Sequence, residues 1–223
     1  MAMYHQEIQK LANCALEEMR AEHATGKLVN APVSNNHFLV RWVTKALKTQ
    51  RFDRCVGDDL TRWQKQGRSK GNQAGIERVF SDISAMYGKL LPADTQHKEI
   101  WDKDINDFID AMEAKGWGVC TEYDLSEKIQ LFTDGENSFA LCNTQCDDCF
   151  ETTEGDELEP LVKPMSWFVR GHHAEFVRLA TEAGFLLHKV TDYKSKVKYH
   201  GEYLIYPKNH GPSLAEIPIG YQA

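Results

Sequence analysis

The chain has 223 residues, a net charge of −7 and 26% charged side chains, ample length to bury a core in one or two domains without staples. Its longest apolar stretches, such as Trp167-Phe168-Val169 and Phe185-Leu186-Leu187, fall far short of the roughly 20 residues of a membrane-spanning helix. Met1 to Gln9 lacks a basic-then-apolar pattern, so no signal peptide is expected, and the six cysteines are expected to stay reduced in a cytoplasm.

The first half reads as helices. Ile8, Leu11, Ala12, Ala15 and Met19 follow a 3.6-residue period, and Gly26 is placed to end that helix. Ser34 is a candidate N-cap for a second amphipathic helix bearing Phe38, Leu39, Trp42, Val43, Ala46 and Leu47. Asp58 or Asp59 starts a short third helix through Leu60 and Trp63, which Gly67 closes, and the polar, glycine-rich segment 67–72 reads as a mobile loop. Ile76, Val79, Phe80, Ile83 and Tyr87 mark a fourth helix stopped by Pro92. Ile105, Phe108, Ile109 and Met112 mark a fifth, stopped by Gly116.

After Gly116 the period changes to that of strands. Segments 117–123, 128–133 and 138–142 read as a three-stranded meander, with a turn at Asp134-Gly135-Glu136-Asn137. Trp167 to Arg170 is a further strand, and Phe176, Val177, Leu179, Ala180 and Ala183 form a helix ended by Gly184. Segments 185–191 and 199–206 close the chain as a hairpin around a lysine-rich turn. Helices segregated from strands predict an α+β fold. The expected organisation is a helical part at residues 1–115, then a mostly antiparallel sheet part with one packed helix at 116–223.

Charge divides the chain. Between Arg41 and Lys70 nine basic residues face only Asp53, Asp58 and Asp59, whereas Asp94 to Glu159 is acidic and ends in a solvated run from Glu151 to Glu159. Arg51, Arg54, Arg62, Lys65 and Arg68 are the candidate nucleic-acid contacts, with Trp42, Phe52 and Trp63 between the charges able to stack bases. The plainer reading is a solvated helix face whose aromatics belong to the core, since Trp42 falls on the apolar stripe. No named DNA-binding motif is present beyond a loose helix–turn–helix pattern between Asp58 and Tyr87.

Cys142, Cys146 and Cys149 are the densest chemical signal, spaced C-x3-C-x2-C. Soft thiolates gathered on a turn suit tetrahedral zinc, and a structural zinc is the expected cofactor. Cys120, His172 or His173 would supply the fourth ligand. In a meander Cys120 and Cys142 would lie on strands flanking a third, roughly 9.6 Å apart, which is wide for one ion. The plain alternative is three thiols clustered in a turn. The same spacing holds the iron–sulfur cluster of radical S-adenosylmethionine enzymes, but too little chain follows Cys149 for a barrel of about 200 residues. Asp147 and Asp148 would also crowd an anionic cluster. Cys14 and Cys55 read as small buried residues. No phosphate-binding loop, dinucleotide fingerprint or nucleophile elbow is present.

The segments Asn30-Ala31-Pro32-Val33-Ser34, Arg62-Trp63-Gln64-Lys65-Gln66-Gly67-Arg68, Pro164 to Gly171, Thr191-Asp192-Tyr193-Lys194-Ser195 and Lys198 to Tyr203 look like an uncharacterised bacterial family, domain of unknown function 2913. The resemblance covers nearly the whole chain and implies a gamma-proteobacterial type of protein, but no activity, substrate or site residue. The functional expectation is a non-enzymatic binding or accessory protein with a zinc loop that contacts nucleic acid or a partner protein. The alternatives are an enzyme with its site in a cleft between the two parts, using His172, His173 or His200, and an interaction module without metal.

Overall fold

The computed structural model describes residues 2–93, 96–125, 128, 137–152 and 158–221. The chain divides into two compact units, one formed by residues 1–95 with 212–214 and 221–223, the other by residues 96–211 with 215–220. Among the described residues no helix is long and apolar enough to cross a membrane.

The first unit is helical. α1 (Tyr4–Ala24) buries Ile8, Leu11, Ala12, Ala15 and Met19 along α4 (Ile76–Leu90), which contributes Phe80, Ile83 and Met86. α2 (Pro32–Lys48) starts at Ala31 rather than Ser34, because Pro32 has its φ already set for a first helical residue and no N–H to orphan. α3 (Gly57–Lys70) runs three residues past Gly67 and is followed by a 3-10 turn at Gly71–Ala74, so segment 67–72 is not a loop. Gly67 is a packing residue: a Cβ there would overlap Val40 Cγ2 and meet Ile76 Cδ1. With Val40 on Gly67, and Thr44 accepting a hydrogen bond from Gln64 Nε2 at 3.0 Å, α2 and α3 run antiparallel in close contact.

The second unit is a sheet with helices on one face. Its strands are β1 (Gly118–Cys120), β2 (Ser138–Leu141), β3 (Met165–Arg170), β4 (His188–Thr191) and β5 (Gly201–Ile205), in the order β1-β2-β3-β5-β4. All neighbours are antiparallel except β1 and β2, which pair in parallel with Cys120 beside Ala140. That parallel pair replaces the expected meander. The expected strand at 128–133 lies outside the described residues apart from Lys128, as do the turn before Asn137 and Glu154, Asp156 and Glu157 of the acidic run.

α5 (Asp102–Glu113) belongs to this unit, so the division falls twenty residues before Gly116, where the period changes. Its Phe108 stacks on Trp167 of β3 at 5.3 Å between ring centroids. α7 (His173–Glu182) covers the same face with Phe176, Leu179 and Ala180. The fold is α+β, as the separation of helical from strand periods predicts.

Candidate nucleic-acid interface

α2 carries no acidic residue along its whole length, and α3 none after Asp59. On α2, His37, Arg41, Lys45 and Lys48 are exposed at spacings of four, four and three, which places them on one stripe. On α3, Lys65 and Arg68 are exposed on the ridge beside the α2 contact. Thr44 joins the two helices, because its Oγ1 accepts from Gln64 Nε2 at 3.0 Å and from Arg68 Nη2 at 3.4 Å. Arg41, Lys45 and Lys48 therefore line one lip of the α2/α3 seam and Lys65 and Arg68 the other. Among the described residues, none of these five cations has a carboxylate oxygen within 4.0 Å.

Of the other expected basic contacts, Arg51 and Arg62 are engaged elsewhere. Arg51 pairs with Glu18 at 2.5 Å and lies over the rings of Trp42 and Phe52 at 5.3 and 5.5 Å. Glu18 also accepts from the Trp42 indole at 2.7 Å, so guanidinium, carboxylate and indole form one network. Arg62 donates to Asp59 at 2.6 Å, and Tyr4 donates to the same carboxylate at 2.5 Å. Arg54 is exposed beside a groove lined by Leu47, Phe52, Cys55 and Leu60. Trp42, Phe52 and Trp63 are at most 9% exposed, so they serve the core and offer no stacking platform. Sequence reasoning passed over Arg41, Lys45 and Lys48 as contacts. The signal that could have found them was their stripe on an acid-free helix.

The cysteine loop folds as a short helix, α6 (Asn143–Asp148), with Cys142 as its N-cap residue and Cys149 at its C-cap. Cys142 packs on one side of the sheet with Leu125, Ala140, Phe168 and Val197, and Cys120 lies against the same cluster. Its Sγ accepts from Leu125 N–H at 3.2 Å. Cys146 and Cys149 pack into the opposite cluster, beneath α5 and α7. The sulfurs of Cys142, Cys146 and Cys149 do not all lie within 4.8 Å of one another. Burial pushes the Cys146 thiol up to about 11, helped by the Asp147 carboxylate, and raises Cys149 as well. Cys14 and Cys55 are half-buried rather than buried.

His172 and His173 lie at the other end of β2. His172 N–H donates to Asn137 Oδ1 at 3.0 Å, and five residues of extended chain separate Asn137 from Cys142, roughly 17 Å. His173 Nδ1 instead meets Tyr203 OH at 2.8 Å. His200 is fully buried, with Nε2 at 3.1 Å from Ser138 Oγ and Nδ1 donating to the Lys198 carbonyl at 2.9 Å. Burial holds both imidazoles below the usual histidine range, so they are neutral at pH 7.

A sequence model described as protein of unknown function (DUF2913) matches residues 3–218. The chain belongs to that family. The match covers all but the end residues of both units, so the basic seam, the cysteine loop and the histidine pairs all lie on the shared stretch. No curated protein and no solved structure matches the chain.

Proposed function

We propose that this DUF2913 protein is a non-enzymatic nucleic-acid-binding accessory protein that holds a phosphate backbone along the α2/α3 seam. The supporting observation is the set of unpaired cations Arg41, Lys45, Lys48, Lys65 and Arg68 on both lips of one tightly packed helix pair. Phosphates attract such a face without base stacking, and the affinity is set by counterion release. The chain as a whole is acidic, so long-range attraction is weak and the contact depends on this local concentration of charge. Fluorescence anisotropy with single-stranded DNA, duplex DNA and RNA at low salt tests it. Binding that weakens steeply with salt supports the reading, and no binding at micromolar protein refutes it.

One arrangement favours a second reading, an enzyme in the sheet unit. His173, Lys189, Tyr203 and Glu216 line a cavity of about 200 Å³ under the segment Ile217 to Ile219. Burial pushes the Tyr203 phenol up to about 12 and lowers His173, so a protonated phenol and a neutral imidazole share the 2.8 Å hydrogen bond. Burial opposes the charge on Lys189, but Asp192 and Glu216, at 3.0 and 3.1 Å, hold it cationic. A neutral imidazole beside a proton donor and a fixed cation is a general acid–base set. Turnover of a small anionic substrate, lost in both His173→Ala and Tyr203→Phe, would establish this reading in place of the first.

A further inference from the structure

In the sheet unit, the turn after β5 carries His210 to His97, on the segment that leads into α5. His97 Nδ1 and His210 Nε2 lie 2.5 Å apart, and the rings meet edge to face with centroids at 4.8 Å. Both imidazoles are half-buried. The two residues are 113 positions apart, so tertiary folding makes the pair and no local motif announces it. Neither belongs to the basic seam, the cysteine loop or the cavity beside His173.

Each histidine stands on a pinned segment. Beside His97, Ile100 is buried in the core, Lys98 pairs with Asp104 of α5 at 2.8 Å, and the Trp101 N–H donates to the same carboxylate at 2.9 Å. Before His210, Lys208 and Asn209 both adopt positive φ, +53° and +59°. Two such residues in a row persist only where surrounding contacts enforce them, and sites that must hold a side chain in place are where they gather. Here the contacts come from Asn209, which is buried. Its Oδ1 accepts from the Leu186 N–H and its Nδ2 donates to the Gly184 carbonyl, both at 2.8 Å. The His210 N–H then donates to the Pro207 carbonyl at 3.0 Å. Lys208 reaches Glu99 at 2.7 Å, so residues 97 with 210 and 99 with 208 fasten the two segments together. The same ion pair offsets the lysine charge beside the histidines, which would otherwise repel a metal ion.

We infer that His97 and His210 form a site for a divalent transition ion of the zinc and nickel class, with His97 Nδ1 and His210 Nε2 as protein ligands and water in the other positions. Imidazole nitrogen suits these ions, whereas magnesium and calcium require oxygen ligands. A zinc ion lies about 2.0–2.1 Å from each nitrogen, so two tetrahedral ligands stand roughly 3.3 Å apart, and the rings need to part by less than about 1 Å. Both rings bind as neutral ligands. The proton between the facing nitrogens passes through solvent to the other nitrogen of its own ring, so none is lost overall. Two protein ligands hold the ion in exchange with solution, and dialysed protein therefore retains little of it. The inference shares no residue with the nucleic-acid reading and stands or falls apart from it.

Isothermal titration of the untagged, chelator-treated full chain with Zn²⁺, Ni²⁺ and Mg²⁺ tests the inference. Zn²⁺ and Ni²⁺ are expected to saturate a single site at micromolar concentration, and Mg²⁺ to give no binding at millimolar concentration. At a hundredfold excess over Kd, Zn²⁺ should raise the melting temperature by about 5–10 °C. His97→Gln and His210→Gln each remove one ligand and should weaken both ions by about 10-fold or more, since even an outer-shell change costs about 10–100-fold. Cys146→Ser should leave the affinity as in the parent. A readout on the parent chain alone covers the case of a variant that folds poorly: in long-range ¹H–¹⁵N spectra, Zn²⁺ should shift the ring nitrogens of two histidines. No saturable Zn²⁺ or Ni²⁺ binding at millimolar concentration overturns the inference. So does Mg²⁺ binding as tight as Zn²⁺, affinity unchanged in both histidine variants, or imidazole resonances that Zn²⁺ leaves in place. Binding lost in Cys146→Ser but kept in both histidine variants assigns the ion to the thiols and equally overturns it.

Discussion

Reversing two charges on the α3 lip separates the proposed contact from ordinary surface charge. If Arg41, Lys45, Lys48, Lys65 and Arg68 each neutralise a phosphate of a single strand, the log–log salt slope is about −3.5, from about −0.7 per phosphate. Raising salt from 50 to 200 mM then weakens binding about 100-fold. The double variant Lys65→Glu with Arg68→Glu leaves three cations, so the slope falls to about −2 and the remaining affinity is cut further by repulsion. Its stability should change by no more than about 0.5 kcal/mol, because both side chains are exposed, neither is ion-paired, and the one hydrogen bond lost, from Arg68 to Thr44, is long at 3.4 Å. Arg51→Ala should behave oppositely. It removes the ion pair to Glu18 and the contacts over Trp42 and Phe52, at a cost of about 1 kcal/mol given the partial exposure of the pair. The salt slope should stay as in the parent. Anisotropy titrations at four salt concentrations, with melting curves for each variant, supply both readouts. If the double variant keeps the parent slope, or Arg51→Ala lowers it equally, the seam is not the contact and the argument fails.

Gly67→Ala should destabilise by about 1–3 kcal/mol despite the better helix propensity of alanine, because the new methyl overlaps Val40 and Ile76; an unchanged melting temperature would mean that α2 and α3 can move apart freely. Phe176→Ala should cost about 3–5 kcal/mol, since Phe176 is fully buried among the rings of Phe108, Trp117, Phe139, Trp167 and Tyr203; a cost near zero would contradict the packing of α7 on the sheet. Burial holds His188 down to about 4 and also lowers His173 and His200. The unfolded chain therefore takes up protons below about pH 6.5 that the folded chain does not, so this stability is whole above that value and drains away towards pH 4. Melting temperature should fall from pH 7 to pH 5, and a flat profile would refute the burial argument. With Cys142 packed across the sheet from Cys146 and Cys149, elemental analysis should find zinc well below one per chain. One zinc per chain, lost in Cys142→Ser, would show that α6 refolds around a metal.

Local patterns carried much of the fold. The 3.6-residue stripes of α1, α4, α5 and α7 place the helices because each buries one face, and Gly116 and Gly184 end theirs at positive φ, where other residues are strained. What failed were the stop at Gly67 and the pairing of β1, both of which turn on a partner distant in sequence, whereas the closing hairpin of β4 with β5 pairs as its sequence predicts. Gly67 has the local character of a helix stop, yet α3 runs through it because Val40, 27 positions earlier, needs the space of a side chain. The parallel pairing of β1 with β2 has no local signature either: short turns imply a meander, and only the register of Cys120 on Ala140 shows otherwise.

Of the candidate site only Lys65 and Arg68 stand out in the sequence, for the same reason, applied to charge. Counting cations along residues 41–70 gives all nine equal weight, whereas folding sorts them by whether a carboxylate is carried to them. Glu18 comes from α1 to Arg51 across 33 positions, and Asp59 meets Arg62 one turn away while also holding Tyr4. Arg54 aside, the cations of that stretch left without a carboxylate partner among the described residues are those whose helix neighbours include no acid. A polyanion contact is thus defined less by basic residues present than by acidic partners missing in space. Asn36 follows the same logic in a neutral group: nothing in a run of two asparagines distinguishes it from Asn35, and only the fold decides that one amide is paired three times and the other keeps an unmatched oxygen.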